Sequence, residues 1–334
     1  MTKLHISQEK FDHLIHLSNG NQIIAALAID QRGALKRLLA AAAGVSEFGD
    51  EILVDFKKLI ASDLTPYASS ILLDAEYGVP VSELRHADCG FIAAYEKTGY
   101  DTSTPGRLPD LLPNWSAKRI KELGADAVKI LLYYDVDDKL EINDIKHAWI
   151  ERIGSECMAE NIPYFVEILT YDASDIDVTS REYAALKPHK VNGAMREFSK
   201  PRYNADVLKV EVPVNMNFVE GYTEEEPVYT LAEAKAYFKE QAESTHLPFI
   251  FLSAGVSAKL FQETLVLAKE AGSNFNGVLC GRATWKDAVA IFASQGEEVA
   301  KDWLAGQGRQ NMEELNKVLA ITARSWTEKV EVVH

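Results

Sequence analysis

Eight short, almost uninterrupted apolar runs recur along the 334 residues: 22–30 (QIIAALAID), 69–76 (SSILLDAE), 90–96 (GFIAAYE), 127–134 (AVKILLYY), 163–169 (PYFVEIL), 206–213 (DVLKVEVP), 248–255 (PFIFLSAG) and 277–283 (GVLCGRA). A strand with one wet face alternates apolar and polar residues; near-continuous hydrophobicity belongs to parallel strands covered on both faces. Between most runs lie stretches of helical periodicity. Residues 116–123 (SAKRIKEL) stop at Gly124, 257–271 stop at Gly272, and 145–160 has the same character. Strand–helix alternation repeated eight times predicts an α/β fold, a (β/α)8 TIM barrel. An open doubly wound sheet is the rival, and the absence of GxGxxG after the first run weakens its dinucleotide-binding version. With no linker, low-complexity tract or further repeat, residues 1–334 are expected to form a single domain.

Three regions depart from the bare repeat. Residues 1–20 predict an N-terminal helix that caps the bottom of the barrel. Residues 100–113 are rich in Pro and Gly, and 172–205 reads as a long insertion after strand five. Long loops on the C-terminal side of barrel strands are where substrate contacts are built.

Composition narrows the function. Lys and Arg number 35 against 50 Asp and Glu, a formal charge of −15. Such a chain repels polyphosphate backbones, so no nucleic-acid and no anionic-membrane partner is expected. A small anionic substrate stays compatible, because a local cluster of cations overrides the global field. Cys89, Cys157 and Cys280 are odd in number and lack CxxC spacing, which fits a reduced, cytoplasmic setting. Polar residues interrupt the first twenty positions, so no secretory leader is expected, and no apolar run reaches membrane-spanning length. The sequence leaves the choice between monomer and homo-oligomer open.

A charge inside a strand buried on both faces needs an explanation. By strand alternation Lys209 shares a face with Val207 and Glu211, Glu167 with Phe165 and Leu169, and Lys129 with Ala127 and Leu131. Asp30 ends the first strand on the face of Ala26 and Ala28. Strands four to six are barrel neighbours, so Lys129, Glu167 and Lys209 are expected to converge inside the mouth, with the small alanines leaving room for a ligand. A lysine attacks a carbonyl only when neutral, and its solution pKa of about 10.4 leaves it protonated at neutral pH. Burial and a neighbouring cation both favour the neutral amine, with Lys129 as the neighbour of Lys209. Glu167 is placed to move protons. The bland alternative is an inward salt bridge that only packs the barrel.

A second signal points to phosphate. Strand seven ends in Ser253, Ala254 and Gly255, with Ser257 opening a helix. Strand eight ends in Gly281 and Arg282, with Thr284 expected to cap the next helix. Loops after strands seven and eight form a recurring barrel phosphate site, where glycines expose backbone N–H groups and an arginine adds paired donors. Ordinary turn glycines beside a solvated arginine are the alternative. His13 and His16 read as surface or capping residues. No HxH, HExxH or strand-end His pair occurs among the eight histidines, so no metal site is expected. Cys280 reads as a small core residue. Lys187, His189, Lys190, Arg196, Lys200 and Arg202 read as a solvated helix face, with a second phosphate contact as the alternative.

The same residues in their contexts carry a family resemblance. ALAIDQRGALK around Asp30, AVKILLYYD around Lys129, YFVEILTYD around Glu167, DVLKVEVPV around Lys209, FLSAGVS and GVLCGRATW together resemble the tagatose-1,6-bisphosphate aldolases of the Gram-positive lactose and galactose (tagatose 6-phosphate) pathway, in order and along the full length. The resemblance implies class I, Schiff-base chemistry on a phosphorylated ketose, with no metal and no organic cofactor. Lys209 would be the imine lysine and Glu167 the acid/base. Asp30, Gln31 and Lys129 would line the site, and Ser253, Gly255, Gly281 and Arg282 would hold a phosphate. The products would be dihydroxyacetone phosphate and glyceraldehyde 3-phosphate, with other ketohexose 1,6-bisphosphates tolerated. A related sulfosugar-phosphate aldolase is the nearest rival. A regulator that keeps the aldolase fold is another, and a zinc-dependent aldolase lacks its ligands here.

Overall fold

Each of the eight apolar runs is a strand of one closed parallel barrel. The computed structural model describes residues 3–97 and 104–333. Two short strands outside the barrel, β1 (Leu4–Ile6) and β10 (Val330–Val332), bracket the chain. The barrel follows in sequence order: β2 (Ile24–Ile29), β3 (Ser70–Asp74), β4 (Gly90–Ala94), β5 (Ala127–Tyr134), β6 (Tyr164–Thr170), β7 (Val207–Val210), β8 (Phe249–Leu252) and β9 (Gly277–Cys280). β9 returns to β2 with Gly277 opposite Ile24. Gly277 has φ +138°, and a Cβ there would lie 1.9 Å from the Ile24 carbonyl oxygen, so only glycine lets the seam close.

Helices cover the outside. Before β3 come α2 (Gly33–Ala43) and α3 (Glu51–Leu64), and α4 (Ala117–Glu122) precedes β5. α5 (Leu140–Ala159), α6 (Arg181–Phe198), α7 (Leu231–Glu243) and α8 (Ala258–Glu270) follow β5 to β8 in turn. α9 (Arg282–Gln295), α10 (Glu297–Trp303) and α11 (Arg309–Thr322) follow β9. Alternate strand residues such as Ile71, Val166 and Phe251 pack outward against these helices. Ile24, Ala26, Leu72, Ile92, Ala127, Phe165, Val207, Ile250 and Leu279 fill the interior. Among the described residues no helix is long and apolar enough to cross a membrane.

The N-terminal segment caps the bottom, as expected. α1 (Gln8–His16) is opened by Ser7, whose hydroxyl accepts from the Lys10 N–H, and its Leu14 joins Leu17, Ile24 and Trp326 under the barrel floor. The helix is also tied by charge to aspartates that immediately precede barrel strands. Lys10 Nζ lies 2.7 Å from Asp206 Oδ2, and His13 and His16 reach the two oxygens of Asp126 at 3.1 and 2.9 Å. The two histidines therefore have a specific docking role. The C-terminal strand β10 pairs with β1 in parallel, which no sequence pattern announced.

The segment 172–205, expected as an insertion, is the regular crossover of the fifth unit, because most of it is α6. Pro188 inside that helix obscures its periodicity. Of the Pro- and Gly-rich region 100–113, residues 100–103 lie outside the described residues, and the remainder is loop up to α4. Cys89, Cys157 and Cys280 are free, buried thiols.

Candidate active site

Strand register explains why the charges meet. Glu167 pairs with Leu131 on one side and Lys209 on the other, while Lys129 pairs with Phe165, one inward layer lower. The long stem of Lys129 carries its ammonium up to the carboxylate layer. Lys209 Nζ lies 2.7 Å from Glu167 Oε1, and Lys129 Nζ lies 2.7 Å from Glu167 Oε2. Lys129 also donates to Asp30 Oδ2 at 2.8 Å and to Glu96 Oε1 at 3.0 Å. Lys129, Glu167 and Lys209 thus converge as expected, with one difference. The two lysines meet through Glu167, and Lys129 is matched by three carboxylates instead of standing as a bare cation beside Lys209.

Burial makes this matching necessary. Lys129 is completely buried, and Glu167 and Lys209 are nearly so. An isolated charge there would cost several kcal/mol, on the order of the effective penalty per buried ion. Burial alone would lower the Lys129 pKa. The charges of Asp30, Glu167 and Glu96 reverse this and hold it well above the ordinary lysine value. Burial likewise pushes the Asp30 carboxyl up, but Lys129 and then Lys209 pull it below the usual carboxylate range. For Glu96 burial prevails, and its carboxyl stays raised despite Lys129.

Several supporting residues escaped the sequence reading. Arg32 donates to the Glu96 carbonyl at 2.9 Å and to Glu76 at 2.7 Å. Lys57, on α3, reaches in to pair with buried Asp74 and donates to the Ile29 carbonyl at 2.8 Å, fixing the backbone next to Asp30. On a helix Lys57 looks like a solvated cation, and Arg32 stands just before α2. Only the buried aspartate at the end of β3 hinted at a partner. Gln31, next to Asp30 in the chain, leaves its side-chain oxygen buried without a hydrogen-bond partner among the described residues. Glu211 does not share the inward face of Lys209. β7 ends at Val210, and Glu211 turns to accept from the Thr170 N–H and hydroxyl, and pairs with Lys187 at 3.2 Å.

The loops after β8 and β9 meet as expected. Gly255, at φ +77°, brings its α-carbon against the Arg282 guanidinium, where a Cβ would lie 3.2 Å from Cζ. Among the described residues Arg282 is exposed and has no carboxylate within ion-pair distance. Ser253 is buried at the end of β8, and Ser257 caps α8 by accepting from the Leu260 N–H. α9 is capped by Gly281 and has no side-chain cap. Thr284, expected as the cap, lies inside the helix, and its hydroxyl donates back to the Gly281 carbonyl at 2.6 Å. The Thr284 N–H also turns back to the Gly281 carbonyl at 2.9 Å, which among the described residues leaves the N–H groups of Arg282 and Ala283 for another acceptor.

The basic residues after strand five are not one solvated face. Lys187 and Lys190 are buried, and Lys190 pairs with Asp135, Asp137 and Asp172. Arg196 and Arg202 do lie at the surface, paired with Glu240 and Glu151. A cavity of about 620 Å³ opens here, lined by Arg107, Asp135, Asp138, Tyr171 and Lys190 but by none of the lysine–carboxylate cluster. Among the described residues no group of three or more His, Cys, Asp or Glu is arranged to hold a metal ion.

Comparison with known proteins agrees with this geometry. The family model described as DeoC/LacD family aldolase matches residues 24–287, the barrel from β2 into α9. A protein of Enterococcus faecalis named tagatose 1,6-diphosphate aldolase 2 is 61% identical over 316 residues, 95% of each chain. A tagatose 1,6-diphosphate aldolase of Staphylococcus haemolyticus is 59% identical over 329 residues, 98% of this chain and 100% of that one. Among solved structures, a fructose-bisphosphate aldolase of Plasmodium falciparum superposes with TM-score 0.67 at 14% identity over 99% of both chains. An archaeal fructose 1,6-bisphosphate aldolase gives 0.56 at 15% identity over 88% of this chain and 99% of that one. At such identities these two establish the fold alone. The family match, covering most of the chain, and relatives near 60% identity establish more: this chain belongs to the DeoC/LacD family of aldolases.

Proposed function

We propose that the protein is a class I aldolase that cleaves tagatose 1,6-bisphosphate to dihydroxyacetone phosphate and glyceraldehyde 3-phosphate. The observation that carries the reading is the Lys209–Glu167 pair, 2.7 Å apart inside the barrel. The names of the relatives supply the sugar. The Lys209 amine adds to the ketose C2 carbonyl, and loss of water gives the imine, with Glu167 moving protons to and from the departing oxygen. Glu167 then takes the proton of the C4 hydroxyl as the C3–C4 bond breaks. The aldehyde product leaves, and the electron pair stays on the enamine. Protonation at C3 and hydrolysis release the ketone and regenerate the amine. Asp30, Gln31 and Lys129 hold the sugar hydroxyls. Ser253, Gly255, Gly281 and Arg282 take a phosphate, using backbone N–H groups, a helix N-terminus and a guanidinium without a competing carboxylate. The setting is cytoplasmic, and no metal or organic cofactor takes part.

The test is a coupled assay with tagatose 1,6-bisphosphate, followed by borohydride reduction and peptide mapping. The expected result is turnover unaffected by EDTA and a permanent adduct on Lys209. An unmodified Lys209, or inactivation by chelator that zinc reverses, would overturn the mechanism. Turnover confined to a sulfonated sugar phosphate would transfer the assignment to that substrate.

A further inference from the structure

Glu96 closes the third apolar run, 90–96, but lies two residues beyond the end of β4. The last register pair between β4 and β5 is Ala94 with Lys129, and the Tyr95 N–H still reaches the Lys129 carbonyl at 2.9 Å. One step further the backbone pairing ends and the Glu96 side chain takes over. Its Oε2 accepts the Leu131 N–H at 3.2 Å, where a continuing strand would offer a carbonyl, and its Oε1 accepts from Lys129 Nζ at 3.0 Å. The carboxylate therefore bridges the backbone of β5 to the side chain of Lys129 on the same strand. Its own backbone is held from two sides, by Arg32 on its carbonyl and by a bridge to Leu111.

We propose that Glu96 is a positioning residue for the aldolase reaction, holding the Lys129 ammonium against Glu167 and Asp30 so that it donates from a fixed point. This rests on the Schiff-base reading above. A lysine chain is free to adopt many rotamers, and a buried, doubly anchored carboxylate removes that freedom before substrate arrives. The groups that face Lys129 are Asp30 after β2, Glu96 after β4, Glu167 on β6 and, behind Glu167, Lys209 on β7. Arg32 approaches Glu96 at 3.9 Å, and Tyr133 lies further along β5 within electrostatic range. Glu96 is thus one of three anions that keep Lys129 protonated, and it acts on substrate only through that lysine.

The experiment is Glu96→Gln, which removes the charge and keeps one oxygen to accept from the Leu131 N–H, its amide nitrogen being a donor that cannot accept from Lys129, alongside Glu96→Ala and Glu96→Asp. In Glu96→Gln the borohydride adduct on Lys209 should persist. Its kcat should fall roughly tenfold with KM little changed, and the alkaline limb of kcat/KM should move down by about one pH unit, because Lys129 loses one of its anions. Glu96→Ala should lose more kcat, and Glu96→Asp should restore part of the alkaline limb. A pH profile of Glu96→Gln that superimposes on the parent, or a loss of kcat that merely follows a loss of melting temperature, overturns the positioning role. A parent protein that forms no adduct overturns the Schiff-base reading, and this inference with it.

Discussion

Glu167 and Lys209 face each other in register across β6 and β7, with carboxylate oxygen and amine nitrogen 2.7 Å apart. Because both side chains come from paired barrel strands, their separation is set by backbone hydrogen bonding and not by a loop. That rigidity suits a step in which one group makes and loses a covalent bond while the other moves protons.

Replacing Glu167 by Gln should separate imine formation from carbon–carbon cleavage. Gln keeps shape and some hydrogen bonding but carries no proton, so kcat is expected to fall about 10²–10⁴-fold. Borohydride-trapped adduct should still build up on Lys209, more slowly. Stopped-time trapping beside steady-state turnover checks this, and near wild-type turnover would remove Glu167 from the mechanism.

Lys129→Met should destabilise the fold by about 3–5 kcal/mol at neutral pH, since breaking a buried pair strands its partner charges. The pH dependence should also change sign. In the parent, Asp30 is held below its ordinary range, so its contribution is present above the unfolded value and is lost as pH falls through the folded one. Without Lys129, Asp30 and Glu96 would sit above their unfolded values, and the folded state would bind the extra protons. The gap in melting temperature between parent and variant should therefore narrow from pH 8 to pH 5. Calorimetry at both ends is the check, and a gap that widens toward acid would contradict the assignment.

The lines that were easy to read in the sequence share one physical cause. Lys129 and Glu167 stand in runs whose other residues are uncharged, and Lys209 is flanked by Val207, Leu208 and Val210, so each charge is visible against its background. The strands themselves were legible because both faces are covered. Glu96 closes the third run but was passed over, because it falls two residues beyond the last strand residue, where a glutamate is ordinary. Lys190 looked solvated and Lys57 drew no notice, because a helix always offers a wet face, and only the partners Asp135 and Asp74, distant in sequence, show otherwise. Glu211 was misplaced because alternation was carried one residue past the end of β7. The β1–β10 pairing joins residues more than three hundred positions apart through three-residue strands, too short to show a period.

Arg282→Ala should weaken phosphate binding more than it slows the chemical steps. A charge-assisted hydrogen bond is worth about 1.5–3 kcal/mol, so KM for the bisphosphate should rise roughly tenfold or more while kcat changes less. Steady-state kinetics over a wide substrate range decides it. An unchanged KM would place the phosphate elsewhere.

Lys329→Met should raise stability. Lys329 is buried, donates to the Leu247 carbonyl at 3.1 Å and lies 4.3 Å from the centre of the Phe249 ring. Burial, little offset by Glu328, lowers its pKa to about 7. The folded state therefore binds fewer protons than the unfolded one between about pH 7 and 10.4, and the parent should gain stability as pH rises through that window. Met removes the penalty. The variant's advantage, on the order of several degrees, should be full below pH 7 and vanish near pH 10.5. An advantage that grows with pH would show the opposite linkage.

The docking of α1 on Asp126 and Asp206 has a consequence for how such an enzyme changes over time. Lys10, His13 and His16 bind carboxylates at the starts of strands, whereas Asp30, Glu96, Glu167 and Lys209 stand toward strand ends. Substitutions that retune substrate choice fall on one end of the barrel, and those that decide whether the chain closes fall on the other. The two sets share few neighbours, so their free-energy effects should add nearly independently. A lineage can therefore accept a new sugar without renegotiating its folding, and a laboratory selection can vary the mouth loops in one library while the floor is left untouched.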